Sequence, residues 1–135
     1  MKIKLFSIYL LFFATNVFAE VKNINNQEII SLMQKGVHII DVRRLEEWRD
    51  TGVIKKSSLL TFFDAQGNYD VEKWLPDLQK IVKKGDPVII ICRSGKRSGI
   101  VSKFLDEQAD FTNVYNASGG ILSWINSKNK TVDPK

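Results

Sequence analysis

One short segment near the middle of the chain constrains the fold more than any other. Residues 87–91 read Pro-Val-Ile-Ile-Ile, an apolar run rich in β-branched side chains. Apolar residues that do not alternate with polar ones are typical of a strand buried on both faces, as in the middle of a parallel sheet. Because parallel strands need crossover connections, this segment predicts an α/β domain.

The rest of the chain alternates between helix and strand patterns. In order, we expect a helix from Asn25 to Gly36, a strand over 37–42, a short helix over 46–49, a strand over 59–63, a helix over 70–84, a helix over 98–108, a strand over 113–116 and a helix after Gly119 and Gly120. Asn25 and Glu28, three positions later, have the pattern of a capping box at the start of the first helix. Pro76 is expected in the first turn of its helix, with 71–75 as a separate turn, because the first turn tolerates proline. The sequence therefore predicts a three-layer domain with a central, mainly parallel sheet flanked by helices.

The first residues are typical of a secretory signal peptide. Lys2 and Lys4 precede an apolar run over 5–14, and Val17 and Ala19 are small residues at the two positions that define a cleavage site. Since the run is roughly half as long as a spanning helix, we expect cleavage after Ala19, export to the periplasm or beyond, and no stable membrane anchor. The expected organisation is a signal peptide over 1–19, one domain over 20–127 and a disordered tail over 128–135.

Composition narrows the classes of ligand. The net charge is +5, and +3 without Lys2 and Lys4, which is too mild to indicate a nucleic-acid partner. The chain has one Cys and one His, so a zinc site built on thiolates is excluded, and we expect no metal and no cofactor. A lone Cys cannot form an internal disulfide. Cys92 is therefore either a buried apolar residue or a thiol kept for its chemistry.

The residues that follow the central strand favour the second interpretation. Cys92 opens the run Cys-Arg-Ser-Gly-Lys-Arg-Ser, which ends at Ser98 and leads into a predicted helix. A loop in that place aims backbone N–H groups and the positive end of the helix at the sulfur, which favours a thiolate and attracts anions. Gly95 is expected to adopt a positive φ and Ser98 to cap the helix. The alternative is a solvated basic loop without chemistry.

These motifs resemble the rhodanese homology domain. The resemblance rests on the run from Cys92 to Ser98, on Asp41-Val42-Arg43 with Glu47, Trp48 and Gly52, and on the segment 114–120 followed by Trp124. It covers roughly residues 24–127, and the leader makes the chain most similar to periplasmic phage-shock-type rhodaneses. The resemblance implies a sulfurtransferase that moves sulfane sulfur from thiosulfate or a related donor, through a persulfide, to cyanide, a small thiol or a protein thiol.

The resemblance also implies roles for residues. Cys92 would carry the sulfur, and the loop residues Arg93, Ser94, Gly95, Lys96, Arg97 and Ser98 would bind the donor, with Arg93 and Arg97 on its sulfonate end. Asp41, Arg43 and Glu47 would support the site, as structural ion pairs more than as catalysts. The chain departs from the family pattern at Val53, where His is common, and at residues 55–57, Lys-Lys-Ser, where Pro-Gly-Ala is usual.

Two other functions use the same cysteine. Cysteine-dependent phosphatases place an Arg after five intervening residues, whereas Arg97 follows Cys92 after four, so the loop is one residue short. A persulfide carrier or thiol-binding module without efficient turnover requires the same thiolate, and the sequence does not separate it from an enzyme.

Overall fold

A computed structural model of the protein describes residues 20–135, so the predicted signal peptide lies outside the described residues. The elements in chain order are β1 (Lys22–Ile24), α1 (Asn26–Gln34), β2 (His38–Asp41), α2 (Leu45–Thr51), β3 (Ser58–Leu59), α3 (Val71–Gln79), β4 (Val88–Ile91), α4 (Lys96–Gln108), β5 (Val114–Ala117) and α5 (Gly120–Asn126). Among these residues, no helix combines the length and the apolar character that crossing a membrane requires.

The strands form one parallel sheet in the order β1-β5-β4-β2-β3. The central position of β4 confirms the prediction from its apolar sequence. Asp41 pairs with Ile91 in the register of β2 and β4, and the Val42 amide donates to the Ile91 carbonyl at 3.0 Å. The chain segments after Asp41 and after Ile91 therefore leave the sheet side by side, at the carboxyl ends of β2 and β4.

Helices cover both faces of the sheet, as the α/β prediction requires. Side chains of β4 alternate between two cores: Val88 and Ile90 pack with α3 and α4, and Ile89 and Ile91 pack with α1 and α5. Every residue of β4 is at most 1% exposed. A strand buried on both faces explains why its sequence shows no polar alternation.

The helix that follows Asn25 has the capping box that the sequence predicts. The Glu28 amide donates to Asn25 Oδ1 at 2.9 Å, and the Asn25 amide donates to Glu28 Oε1 at 3.2 Å. The predictions were wrong for the helix at Pro76. Helix α3 is continuous through Pro76, and Asp70 caps its start. Because Pro76 is exposed, the Glu72 carbonyl that loses its helical donor lies on the solvent side.

The end of the chain differs from the disordered tail that we expected. The backbone groups of Val53 and Val132 form an antiparallel bridge with two hydrogen bonds of 2.9 Å. Trp124 Nε1 donates to the Lys130 carbonyl at 2.9 Å, and Thr131 Oγ1 donates to the Thr51 carbonyl at the same distance. Residues 130–132 therefore lie against the domain beside Val53, the position where the sequence departs from the family pattern.

Candidate active site

Cys92 lies directly after the central strand, where the chain turns into α4. The turn is made by residues 93–95, and Gly95 takes a left-handed conformation with φ of 95°, as predicted. A Cβ at this position would collide with the Ser118 carbonyl, so the turn needs glycine for space as well as for φ. The prediction that Ser98 caps the helix was wrong: Gly95 is the N-cap, and Ser98 lies in the first turn of α4.

The sulfur of Cys92 accepts two hydrogen bonds. The Gly95 amide donates to Sγ at 3.1 Å, and Ser98 Oγ donates to Sγ at 3.2 Å. Cys92 is 1% exposed and Ser98 is fully buried, so water does not compete strongly for these donors. Both donors lie at the N-terminal end of α4, the end of a helix that attracts negative charge.

A second turn, at the start of α5, holds the loop from behind. The Ile121 amide donates to the Cys92 carbonyl at 2.9 Å, and the Leu122 amide donates to the Arg93 carbonyl at 3.1 Å. A Cβ on Gly120, whose φ is +61°, would overlap the Arg93 carbonyl group. The two glycine-containing turns therefore pack backbone against backbone, which fixes the start of the loop.

Arg97 is engaged by a carboxylate. Its Nη1 and Nη2 donate to Glu47 Oε2 and Oε1 at 2.8 and 2.6 Å, and the Arg44 amide donates to Glu47 Oε2 at 3.0 Å. These contacts lower the pKa of Glu47 to about 2, with the Arg97 hydrogen bonds as the largest cause. The same pairing raises the pKa of Arg97. Glu47 thus ties the loop and α4 to α2.

Asp41 and Arg43 form a second ion pair, which is buried. Their side chains are 1% and 0% exposed, and Arg43 Nη2 donates to Asp41 Oδ2 at 2.8 Å. Thr51 Oγ1 and the Gly52 carbonyl accept from the guanidinium at 2.8 and 3.0 Å. Asp41 and Arg43 thus form a buried ion pair beside the carboxyl ends of β2 and β4, where Cys92 also lies.

The remaining loop side chains face solvent. Arg93, Ser94 and Lys96 are all exposed, and neither Arg93 nor Lys96 forms an ion pair within residues 20–135. The structure thus brings together Cys92, Gly95 and Ser98 at the sulfur and holds Arg97 on Glu47. Two cations of the loop, Arg93 and Lys96, are left without an ion pair among the described residues. Across the same residues, no group of three or more His, Cys, Asp or Glu side chains is arranged to hold a metal ion.

Comparison with known proteins identifies the family to which this fold and loop belong. A family model described as the rhodanese-like domain matches residues 25–127. The chain belongs to the rhodanese-like family. The match covers the loop after Cys92, both ion pairs and the turn at Gly120.

Individual relatives agree with this placement. The chain is 31% identical over 107 residues to the Bacillus subtilis (strain 168) protein YtwF, provisionally named a sulfurtransferase, and the match covers 78% of this chain and 91% of YtwF. It is 26% identical to "Thiosulfate sulfurtransferase 18" of Arabidopsis thaliana, covering 78% of this chain and 79% of that protein. A crystal structure of a rhodanese-like domain protein from Staphylococcus aureus superposes with a TM-score of 0.58 at 26% identity, covering 77% and 91% of the two chains. These relatives support a rhodanese-like domain and do not distinguish a phage-shock type.

Sequence reasoning missed two residues that hold the site. Thr51 accepts from Arg43, and Asn116 donates to the loop carbonyl of Gly95 at 3.4 Å. Thr51 follows Glu47 by one helical turn, which is a signal that a helix assignment could have used. For Asn116 the signal is its placement: it is polar, yet it lies in a predicted strand beside the central one.

Proposed function

We propose that this rhodanese-like domain is a sulfurtransferase that carries sulfane sulfur on Cys92 as a persulfide. One observation supports it above the others: the Cys92 sulfur accepts from the Gly95 amide and from the Ser98 hydroxyl at the N-terminal end of α4. A thiolate and a persulfide anion need the same donors, so one loop serves both states.

The reaction has two steps. The Cys92 thiolate attacks the outer sulfur of thiosulfate, the S–S bond of the donor breaks, and sulfite leaves with the bonding electron pair. In the second step, cyanide or a thiolate attacks the outer sulfur of the persulfide, and Cys92 leaves as the thiolate. Each step exchanges one bond to sulfur for another, so no redox partner and no metal is required.

The free cations of the loop suit an anionic donor. Arg93 and Lys96 lie at the surface beside the buried sulfur, and they can meet the sulfonate end of thiosulfate. Arg97 already donates two hydrogen bonds to Glu47, so its first role is to hold the loop on α2. We therefore propose Arg93 and Lys96 as the cations that bind the donor, in place of the expected pair of Arg93 and Arg97.

The loop is less suited to phosphate esters. A phosphatase loop presents its Arg to the substrate, whereas Arg97 comes one residue early and is held by Glu47.

We also propose that the domain works outside the cytoplasm, because residues 1–19 have the pattern of a cleaved signal peptide. The N-terminal sequence of the protein isolated from its source tests this proposal: Glu20 is expected as the first residue.

The experiment that tests the function begins with the protein of residues 20–135 and thiosulfate. Intact mass should rise by one sulfur, cyanide should then remove that sulfur as thiocyanate, and the Cys92→Ser variant should gain none, because a neutral hydroxyl does not attack sulfane sulfur. An unmodified wild-type mass would reject the proposal for thiosulfate. A stable persulfide that neither cyanide nor small thiols discharge would instead identify a carrier, and hydrolysis of phosphate esters would identify a phosphatase.

Two arginine variants separate binding from positioning. Arg93→Ala should weaken turnover at low thiosulfate by about tenfold without changing the melting temperature, since one charge-assisted contact to the donor is lost. Arg97→Ala should lower both turnover and the melting temperature, because it leaves the partly buried Glu47 without its partner. If only Arg97→Ala impaired donor binding, with Arg93→Ala as active as wild type, the assignment of Arg93 would be wrong.

A further inference from the structure

Asn116 connects the sheet to the cysteine loop by a side chain rather than by the backbone. It lies in β5, beside β4, and is 6% exposed. Its Nδ2 donates to the Gly95 carbonyl at 3.4 Å and to Asn23 Oδ1 at 3.0 Å. The acceptor of the same amide, Oδ1, is buried and has no partner among the described residues. Both hydrogens of this amide are used, and its oxygen is not.

This unequal use of the amide indicates what holds it in place. Rotating the amide by 180° would bring Oδ1 against the Gly95 carbonyl oxygen and against Asn23 Oδ1, so both hydrogen bonds of the amide would be lost. A buried acceptor without a hydrogen bond costs free energy. The orientation that leaves Oδ1 without a partner is the one that keeps Nδ2 on both Gly95 and Asn23, so these two contacts together fix the side chain.

Gly95 is the residue of the loop that most needs to be held. As a glycine it has wide backbone freedom, and it sits at φ of 95° and ψ of −9°. Its amide donates to the Cys92 sulfur, and its carbonyl accepts from the Gly99 amide at 3.0 Å and from Asn116. The amide and the carbonyl are joined at the Gly95 Cα, so a displacement of this residue that released the carbonyl from Asn116 would also move the amide on the sulfur.

We propose that Asn116 is a positioning residue, which holds Gly95 so that the Gly95 amide stays on the Cys92 sulfur. This role adds to the sulfurtransferase function proposed above, and it depends on that function only for its expected effect on sulfur turnover. Asn116 does not contact the sulfur. It acts through the glycine between them, from a strand that is itself held by pairing with β4 and β1.

Amide hydrogen exchange measured by NMR on the protein of residues 20–135 tests the role directly. In Asn116→Ala, the Gly95 amide should exchange about three- to tenfold faster relative to the Ile90 amide of β4, the fold-change expected for one neutral hydrogen bond. Alkylation of Cys92 by iodoacetamide and sulfur loading from thiosulfate should slow by a similar factor. The matched control is Val114→Ala, which removes buried volume at the other end of β5 and, unlike the change at Asn116, removes no hydrogen bond to the loop.

The control gives the result that a purely structural role would produce. Val114→Ala should lower stability and speed the exchange of Gly95 and Ile90 alike. If Asn116→Ala behaved in the same way, with no selective change at Gly95 and no loss in alkylation beyond that of the control, the positioning role would be overturned. A wild-type protein that took no sulfur from thiosulfate, while Gly95 still responded selectively to Asn116→Ala, would reject the sulfurtransferase proposal and leave this role in place.

A measurement on the wild-type protein covers the case in which Asn116→Ala does not fold. The two side-chain amide protons of Asn116 should exchange slowly, because both are hydrogen-bonded and buried. Those of Asn113, which is exposed and donates only to the Gly85 carbonyl at 3.3 Å, provide the reference. Exchange at Asn116 as fast as at Asn113 would overturn the proposal.

Discussion

Glu47 and Arg97 are 50 residues apart in sequence and meet through two hydrogen bonds of 2.6 and 2.8 Å. The pair joins α2, which follows β2, to α4, which follows the cysteine loop. Their side chains are 16% and 24% exposed, so solvent screens the pair only in part. The charge pattern of the loop therefore has two components: Arg97 faces inward to α2, and Arg93 and Lys96 face solvent.

The Glu47 pair predicts how stability depends on acid pH. The pKa of Glu47 falls from an ordinary value of 4.5 to about 2 in the folded protein. A lowered carboxyl pKa contributes stability that is fully present above pH 4.5 and is lost as pH falls toward about 2. We expect Glu47→Gln to be less stable than wild type at neutral pH and the difference to shrink across that window.

Urea unfolding of both proteins at several pH values measures this difference. Other carboxylates titrate in the same range, and the subtraction of Glu47→Gln from wild type removes their contribution. A gap in unfolding free energy that stayed constant from neutral pH down to the folded-state pKa of Glu47 would contradict the assignment of the low pKa to this residue.

The buried pair predicts a larger effect than an exposed one. Asp41→Ala should cost about 3–5 kcal/mol of stability, because it leaves the fully buried Arg43 guanidinium without its carboxylate. The control is Glu46→Ala, which breaks an exposed pair with Arg44 at 2.6 Å and should change stability far less than Asp41→Ala does. Denaturant unfolding compares the two, and equal losses would show that burial does not set the cost.

Two serines on α4 offer a matched test of the donors at the sulfur. Ser98 and Ser102 are both fully buried and one helical turn apart, but only Ser98 donates to Cys92 Sγ, at 3.2 Å. The Ser102 hydroxyl has no partner among the described residues. Ser98→Ala should slow persulfide formation by about tenfold, as the loss of one donor to an anion predicts. Ser102→Ala should leave the rate unchanged and be neutral or slightly stabilising.

Single-turnover sulfur loading, followed by intact mass, distinguishes the two serine variants. Their melting temperatures report any loss of folded protein. Equal rates for Ser98→Ala and wild type would show that the Gly95 amide and the helix end stabilise the sulfur without the hydroxyl.

The sequence predicted those features whose signals lie close together in the chain. The apolar run of β4, the capping box of Asn25 and Glu28, and the positive φ of Gly95 each depend on a few adjacent residues, and the structure agrees with each. Strand β1 was missed because only Ile24 of its three residues is buried, and its pairing with β5 joins residues more than 90 apart. The contacts of Asn116 and Glu47 depend on the same kind of long-range neighbour.

The conformation and close surroundings of Gly95 predict the effect of adding one methyl group there. Its φ is +95°, and a Cβ there would overlap the Ser118 carbonyl, which belongs to the turn that holds the loop from behind. Gly36 has a similar φ of +81°, and a Cβ on it would meet nothing within 4 Å, so it carries the backbone strain without the collision. Gly36→Ala should therefore cost about 1 kcal/mol, the usual penalty of a left-handed alanine.

Gly95→Ala should cost several times more, since the Ser118 backbone cannot move aside as a flexible side chain would. The displaced turn should also pull the Gly95 amide from the Cys92 sulfur, so sulfur loading should fall by more than about tenfold even at temperatures where the variant remains folded. Thermal melts and loading rates of both alanine variants provide the comparison. Similar stability for the two would mean that the loop and the Ser118 turn separate easily, and would remove close backbone packing as the reason why glycine stands at position 95.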